Sequence, residues 1–449
     1  MEQSANRLLD KLLANQFEAY LVGGCVRDRV MHKPVQDYDI ATNALPEQVM
    51  ELFPHTIPTG LKHGTVTVML GGFPFEVTTY RKESGYDEHR RPEQVEFVSD
   101  LQEDLQRRDF TINALAMDTK GAIIDPFEGQ KDLQLGIIRC VGNPGDRFQE
   151  DALRMLRCVR FAANYSFQIE QATWDALLHN VQLLHFIAME RVRVELEKML
   201  AGAHPYLALE LLMESKLLQH LKLELQLPLT KWQAKDLPAY LGKLATLAEP
   251  LLRWALLFHS MRVSAEKASR AMKRLTFSSK QIKTIMPIIK LEMWLQEQIE
   301  IAIQEQHTPE KKEPVSLAVA RLSVDRPGLI WKRAAVQFGK EALLGWLKIK
   351  QIEFSELPAQ ETIDLKQSVF MTFINQGNEW ISEMPVETLT ELDIVGSDLL
   401  EHFTIPAGPW VSEVLHRLLL DAAFGNVRNQ KSHLLQRAEI YRKELKSRE

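Results

Sequence analysis

Residues 20–41 read YLVGGCVRDRVMHKPVQDYDIA, and this stretch decides the fold of the first part of the 449-residue chain. Its apolar, β-favouring start is broken by Gly23-Gly24 and followed by a helical pattern, which predicts a strand, a glycine turn and a helix. Glycine lets a backbone approach a phosphate closely, and the free N–H groups of a helix start attract negative charge. The pattern therefore predicts a phosphate-binding turn.

Two aspartates lie at the far end of the same stretch. Asp37 and Asp39 are two residues apart on the next predicted strand, so we expect both carboxylates on one side. Hard oxygen ligands beside a phosphate-binding turn suit Mg²⁺ and a nucleoside triphosphate, which predicts phosphoryl or nucleotidyl transfer. The alternative is a surface Asx turn after an ordinary βα unit, and the upstream GG and RD residues disfavour it.

The composition, 45% hydrophobic and 25% charged, is that of an ordinary globular protein. Cys25, Cys140 and Cys158 are scattered without a pairing motif, which disfavours a disulfide framework and a zinc site. Without a signal peptide or an apolar run of about 20 residues, the sequence predicts a cytoplasmic protein with no membrane span. The net charge of −6 disfavours a general nucleic-acid coat but allows a local basic groove.

Roughly the first 140 residues alternate strand candidates with turns, and Gly71-Gly72 predicts a hairpin. From about Pro144 onward the pattern is helical, and the best linker candidates are His307–Pro314 and the region around Leu357-Pro358. The sequence thus predicts an α+β region followed by an all-helical remainder. The expected strands are Ala19–Val22, Asp37–Ala41, His63–Leu70, Phe73–Thr79, Ala114–Asp118 and Ile137–Val141.

The segment QEDALRMLRCVRF at 149–161 has helical periodicity with one polar face, on which Glu150, Arg154 and Arg157 cluster. Asp151 and Arg160 flank this cluster, and Asp151 is expected to hold Arg154, three residues away, in position. A solvated, salt-bridged surface is the alternative, and the nearby nucleotide-binding pattern disfavours it. The opposite, packing face carries Ala152, Met155, Leu156, Val159 and Ala163.

A third motif, DLQRRDFTINA at 104–114, places two arginines where they could clamp a triphosphate bidentately. Asp109 is expected to orient Arg108 or to cap the following turn. The alternative is a helix C-terminus whose arginines interact with the helix dipole.

In this order the motifs resemble those of class II, bacterial-type CCA-adding tRNA nucleotidyltransferases of the polymerase-β superfamily. The resemblance is dense over about residues 18–165 and continues to AGPWV at 407–411. The motifs that carry it are GGCVRD with DYDIA, HGTVTV with FEVTTYR, DLQRRDFTINALA with IIDPFEG, and RFQEDALRMLRCVRFA.

The resemblance implies template-independent addition of C, C and A to tRNA 3′ ends from CTP and ATP, by two-metal transfer with Mg²⁺ that releases pyrophosphate. It implies a polymerase-β-like head with a mixed sheet at 1–142, a helical neck at 143–207, a helical body at 208–335 and a helical tail at 336–449. Asp37 and Asp39 match the catalytic, metal-binding carboxylates, and Glu76 is a hypothetical third. The matched nucleotide-binding residues are Gly24, Arg27, Arg108, Asp151, Arg154, Arg157 and Arg160.

Choosing a base without a template requires complementary side chains. Cytosine and adenine each present an amino donor beside a ring-nitrogen acceptor, and uracil and guanine reverse that order. A carboxylate only accepts and a guanidinium only donates, so Asp151 and Arg154 suit C and A. A site built for hydrogen bonds can reject the wrong partner by about 10⁴-fold.

The polar stretch KESGYDEHRR at 82–91 resembles the family's flexible loop, whose full length favours complete CCA addition; a plain β-connecting loop is the alternative. Basic residues at 270–283 and 428–448 are candidate tRNA contacts, with solvated helix faces as the alternative. A homodimer stays open.

The nearest alternative functions are a partial enzyme adding only CC or only A, and a bacterial poly(A) polymerase. A non-catalytic RNA-binding protein is a further alternative. The intact pair of Asp37 and Asp39 disfavours it, because a degenerate site is expected to lose a carboxylate.

Overall fold

The computed structural model describes residues 1–87, 91–304, 325–355 and 365–446. They form two compact units, Met1–Leu237 with Arg274–Thr276, and Pro238–Lys273 with Phe277–Glu449. The strands are β1 (Ala19–Val22), β2 (Asp39–Thr42), β3 (Thr56–Gly60), β4 (Thr65–Leu70), β5 (Phe73–Thr79), β6 (Arg81–Asp87), β7 (Arg91–Phe97), β8 (Ala116–Met117), β9 (Ile123–Ile124), β10 (Ile137–Ile138) and β11 (Gln168–Ile169).

Helices surround the strands of the first unit and make up the regular structure of the second. Up to Ser215 they are α1 (Glu2–Ala14), α2 (Gly24–Val30), α3 (Pro46–Leu52), α4 (Leu101–Gln106), α5 (Gly129–Leu135), α6 (Pro144–Glu150), α7 (Leu153–Tyr165), α8 (Gln171–Asn180), α9 (Met189–Ala201) and α10 (Pro205–Ser215). The later ones are α11 (Pro250–Ser260), α12 (Ala265–Arg274), α13 (Ser279–Gln304), α14 (Asp325–Phe338), α15 (Lys340–Phe354), α16 (Leu365–Ser382), α17 (Gly396–Phe403), α18 (Pro409–Ala423) and α19 (Lys431–Lys446).

The main sheet is mixed and has the strand order β3-β4-β5-β2-β1-β8-β9. Only β2 and β5 pair in parallel; the other neighbours are antiparallel. Gly71 and Gly72 both have positive φ and join β4 to β5, which confirms the predicted hairpin. The predicted fold class, a mixed-sheet α+β head followed by helices, is confirmed.

Several predicted strands are shorter than expected. Strand β2 begins at Asp39, so the prediction that Asp37 lies on it is wrong. The reason is that its antiparallel partner β1 ends at Val22, which pairs with Asp39, and the glycine turn follows. Strand β4 begins at Thr65 because Leu61–His63 form a 3₁₀ turn before it.

The stretch expected to be a flexible loop contains regular structure instead. Residues 81–87 and 91–97 pair as the antiparallel ribbon β6–β7, and residues 88–90 lie outside the described residues. The polar side chains hid the strand pattern, because a two-stranded ribbon need not bury an alternating apolar face.

The segment predicted as one helix across 149–161 is two helices. Helix α6 ends at Glu150, Asp151 is extended with φ −141° and ψ 102°, and α7 begins at Leu153. The predicted packing face is confirmed, since Ala152, Met155, Leu156, Val159 and Ala163 are fully buried.

In the second unit an aromatic cluster forms the core around Trp331, Trp346 and Phe373. The indole N–H of Trp331 donates to the Gly377 carbonyl at 2.9 Å, and a Cβ at Gly377 would lie 2.9 Å from that indole. Both predicted linkers, His307–Pro314 and Leu357-Pro358, lie outside the described residues. Within the described ranges, no helix is both long enough and apolar enough to cross a bilayer.

Candidate nucleotide-binding active site

A cavity of about 470 Å³ in the first unit brings together residues from distant parts of the sequence. It is lined by the glycine turn, the start of β2, the arginines after α4 and the polar side of α7. All seven predicted nucleotide-binding residues therefore meet in one place. They are Gly24, Arg27, Arg108, Asp151, Arg154, Arg157 and Arg160, with Asp39 beside them.

Two arginine side chains lie against the glycine turn. Gly23 has φ +74°, and a Cβ there would lie 2.7 Å from Nη1 of Arg108. A side chain at Gly23 would therefore be strained and would displace Arg108. A Cβ at Gly24 would lie 3.5 Å from Nη2 of Arg27, the next cationic group along the turn.

Arg27 is buried and held from two sides. Its Nη1 donates to Oδ1 of Asn113 at 2.6 Å, and its Nε donates to Oδ1 of Asp28 at 2.9 Å. Its guanidinium also lies 5.4 Å from the ring centre of Phe161 and 4.9 Å from that of Tyr165. These contacts fix its cationic head beside Gly24.

The carboxylates lie at one edge of this cavity. Asp39 pairs in parallel register with Glu76, so the two side chains leave the sheet on the same face. Burial raises the pKa of Asp39, Glu76 and Asp37 add to this, and Arg108 opposes it. Asp37 is exposed and precedes the strand. In the described part of the chain, no three acidic, histidine or cysteine side chains form a set that could hold a metal ion.

The two arginines after α4 are held by Asp104 rather than by Asp109. Asp104 is fully buried, and its Oδ1 accepts from Nη2 of Arg107 at 2.8 Å. Its Oδ2 accepts from Nη2 of Arg108 at 3.3 Å. The prediction that Asp109 orients Arg108 is wrong, because the end of α4 returns both arginines toward the preceding helical turn.

Asp109 instead pairs with a residue of α7. Its Oδ2 accepts from Nε of Arg157 at 2.7 Å, and its Oδ1 accepts from Nδ2 of Asn113 at 3.0 Å. Burial alone would raise the pKa of Asp109, but Arg157 and Asn113 outweigh it and lower the pKa to about 2.

This pKa predicts an acid-labile contribution to stability. The folded pKa of about 2 lies below the ordinary value of 3.8, so Asp109 stabilises the fold above pH 4. The contribution, about 2 kcal/mol, is lost as the pH falls from 4 toward 2. We expect Asp109→Asn to lower the free energy of unfolding at pH 7 and to flatten its pH dependence in that window, as measured by urea unfolding. An unchanged pH slope would contradict the assignment.

The two residues expected to recognise the base are each held by another partner. Both oxygens of Asp151 accept from Arg191, at 3.2 and 2.8 Å. Arg154 pairs with Glu150, and its guanidinium also donates to the Arg107 carbonyl at 2.9 Å. The prediction that Asp151 and Arg154 hold each other is wrong, since the break after α6 turns Asp151 toward α9.

The Phe161 ring is surrounded by three arginine side chains of the cavity lining. The guanidinium carbons of Arg157 and Arg160 lie 5.3 and 4.1 Å from its ring centre, in addition to that of Arg27. Arg160 also pairs with Glu195 at 2.6 Å. Each of these arginines thus has an acidic or amide partner and an aromatic face, which offsets the repulsion among them.

The sequence alone did not single out Asp104, Asn113 or Arg191 as residues of the site. Asn113 lies inside the motif at 104–114, but a neutral amide adds nothing to a charge pattern. Arg191 is 40 residues from Asp151, and no local spacing links them. The three cysteines are buried, and burial raises the pKa of Cys25 to about 11 and of Cys140 to about 12, so neither thiol is an activated nucleophile.

Three family profiles match successive parts of the chain. The "Poly A polymerase head domain" matches residues 19–139, the "Probable RNA and SrmB- binding site of polymerase A" matches 166–227, and the tRNA nucleotidyltransferase domain 2 matches 246–438. The chain is 35% identical over 429 residues to a CCA-adding enzyme of Bacillus cereus (strain Q1), with 96% of each sequence covered. It is 36% identical over 428 residues to that of Bacillus cytotoxicus, with 95% of each covered.

Solved structures show the same likeness. The CCA-adding enzyme of Bacillus stearothermophilus in complex with CTP is 33% identical, with a TM-score of 0.77 over 99% of this chain and 98% of the other. The CCA-adding enzyme of Thermotoga maritima complexed with tRNA shares the fold, with a TM-score of 0.60 at 21% identity, over 96% of this chain and 93% of the other.

Proposed function

Because this chain belongs to the bacterial class II CCA-adding enzymes, we propose that the cavity of its first unit binds CTP and ATP for addition of C, C and A to tRNA. The observation that carries this proposal is that residues suited to a triphosphate and residues suited to a base line one cavity. Gly24, Arg27 and Arg108 form the first group, and Asp151, Arg154 and Arg157 form the second.

Membership of this family implies dependence on a divalent metal, and we propose Mg²⁺. Asp39 lines the cavity, and Asp37, two residues before it, contributes to the raised pKa of Asp39; both offer hard carboxylate oxygens. Mg²⁺ usually takes one or two protein carboxylates and completes its shell with substrate phosphates and water, so two aspartates suffice to hold it. When bound there, the ion would activate the attacking 3′-hydroxyl and offset charge on the phosphates.

The arginines near the turn suit the triphosphate. Arg27 and Arg108 are both oriented by fixed partners, Asn113 and Asp104, and both line the cavity. A planar guanidinium binds phosphate oxygens bidentately. We therefore assign these two residues to holding the triphosphate and the pyrophosphate leaving group.

To bind a base, Asp151 and Arg154 have to release the side chains with which they pair in this structure. Asp151 would accept from the amino group of C or A, and Arg154 would donate to the ring nitrogen. In this structure Arg191 and Glu150 occupy those positions, so the correct base has to replace them. In the same pose, uracil and guanine would set a carbonyl oxygen against Asp151 and a ring N–H against Arg154, which supports rejection of UTP and GTP.

The predicted tRNA contacts separate into two groups. Lys431 pairs with Asp398 at 2.7 Å, Arg437 pairs with Asp421 at 2.5 Å, and the buried Arg442 lies over the Trp410 ring. These residues support the helical tail itself.

Lys280 and Lys283, at the start of α13, are exposed and form no ion pair with any described residue. Arg448 lies outside the described residues.

We expect tRNA affinity to fall as salt rises, with a linear plot of log affinity against log salt concentration. Lys280→Gln with Lys283→Gln should reduce the slope by about 1 to 2, because each phosphate contact contributes roughly 0.7–0.9. Lys431→Gln is the matched control and should leave the slope unchanged. A flat plot for the wild type would exclude phosphate tracking.

The function is tested with a tRNA that ends before the CCA sequence. CTP alone should add two residues, and CTP with ATP should give one product three residues longer. A long A tail would indicate a poly(A) polymerase, and arrest after CC with ATP present would indicate a partial enzyme.

We also propose a cytoplasmic location, supported by three buried, unpaired cysteines. The homodimer is a prediction that a measurement of molecular mass in solution would test.

A further inference from the structure

One neutral side chain of the cavity lining, that of Asn113, contacts both an arginine and an aspartate of the same lining. Asn113 ends the 3₁₀ turn Thr111–Asn113 and is 6% exposed. Its Oδ1 accepts from Nη1 of Arg27 at 2.6 Å, and its Nδ2 donates to Oδ1 of Asp109 at 3.0 Å. The amide therefore contacts Arg27, which we assign to the triphosphate, and Asp109, which pairs with Arg157 on α7.

An amide suits the chemistry of both neighbours at this position. A guanidinium has only donors and an ionised carboxylate has only acceptors. The linking group must accept on one side and donate on the other, in one fixed orientation. Aspartate at Asn113 would place two carboxylates together, and alanine would leave both Arg27 and Asp109 without this partner.

The connection continues to α7 without a gap. Asp109 accepts from Nε and Nη2 of Arg157 at 2.7 and 2.6 Å. The series Arg27–Asn113–Asp109–Arg157 thus joins α2 to α7 through three side-chain links, of which the first two are buried and the third is partly buried. Arg27 and Arg157 also face the same Phe161 ring, so a shift of either changes the surroundings of the other.

We propose that Asn113 is a positioning residue. It couples Arg27, which we assign to the triphosphate, to α7, the helix that carries the base-recognition residue Arg154. The inference rests on the proposed function of this cavity. The three links are already made in the structure without a nucleotide, so a correct base leaves α7 and Arg27 in the arrangement described here. A wrong base that displaces α7 moves Asp109 and Asn113 with it and shifts Arg27 away from the triphosphate, so selection acts on the rate of transfer as well as on binding.

The test measures kcat and KM for CTP and UTP in Asn113→Ala and in a matched control. Asn180 is equally exposed at 6%, lies in the same unit and donates only to the Ala176 carbonyl at 2.8 Å, so Asn180→Ala is that control. Asn113→Ala should lower kcat/KM for CTP by about 10- to 100-fold and narrow the preference for CTP over UTP by about tenfold. Asn180→Ala should change neither value by more than about twofold.

A double-mutant cycle with Arg157→Met identifies the path. If Asn113 acts through Arg157, the combined loss in kcat/KM is clearly smaller than the product of the single losses. Additive losses, or a fall in thermal stability with an unchanged CTP-to-UTP ratio, would overturn the coupling and leave a merely structural residue. Should Asn113→Ala fail to fold, Asn113→Asp keeps the side-chain shape and the acceptor for Arg27 while breaking the link to Asp109, and the same outcomes apply. If the wild type adds CCA and the losses in kcat/KM are additive, only the coupling is refuted. If the wild type does not add CCA, the proposed function is refuted.

Discussion

Asp39→Ala is expected to lower the rate of nucleotide transfer by about 10³-fold or more while leaving tRNA affinity unchanged. The reason is that removing a metal carboxylate forfeits several kcal/mol of charge stabilisation in the transition state, and each 1.4 kcal/mol is tenfold in rate. Asp37→Ala should have an effect of the same order. Single-turnover transfer of CMP to a tRNA acceptor measures the rate, and filter binding measures the affinity.

The control for this series is Asp10→Ala, an exposed aspartate on α1 in the same unit. It should retain full activity. Glu76→Gln, measured beside it, decides the role of the third acid, because a loss comparable to that of Asp39→Ala would place Glu76 in the metal site. Retained activity in Asp39→Ala would mean that the metal site has been assigned to the wrong residues.

The double variant Asp151→Asn with Arg154→Gln is expected to lose most of the discrimination against UTP and GTP. Each amide side chain carries both a donor and an acceptor, so it can satisfy the reversed edges of uracil and guanine as well as those of C and A. We expect the preference in kcat/KM to fall from about 10⁴ to about 10² or less, and kcat/KM for CTP to fall by about 10- to 100-fold. Steady-state kinetics with each of the four nucleotides would measure both effects.

A charge-matched control separates recognition from general electrostatics. Glu190 and Lys198 are an exposed acid and base on α9, within the same unit, and Glu190→Gln with Lys198→Gln makes the same change of charge. This control should keep the full preference. If the control lost it too, net charge rather than hydrogen-bond pattern would explain the selection.

The parts of the fold that could be predicted from sequence are those fixed by neighbours along the chain. The strand, glycine turn and helix at Ala19–Val30 and the Gly71-Gly72 hairpin are local, and each follows from backbone requirements of glycine. The buried stripe of α7 follows from helical periodicity in the same way.

The partners of the charged residues could not be predicted, because they come from distant segments. Asp109 pairs with Arg157, 48 residues away, and Asp151 pairs with Arg191, 40 residues away. At the sequence level Asp109 and Asp151 each had a nearer arginine, and only the tertiary fold decides between near and distant partners. Asp37 lies outside β2 because the partner strand β1 ends at Val22, and the sequence of 37–41 alone does not show where that pairing ends.

Equilibrium binding of CTP, ATP, UTP and GTP to the wild-type protein without tRNA tests most directly whether protein side chains alone choose the base. The account predicts that CTP and ATP bind at least about tenfold more tightly than UTP and GTP, and that the difference disappears in the Asp151→Asn, Arg154→Gln variant. Equal binding of all four nucleotides to the wild type would contradict it, since the choice would then require the RNA.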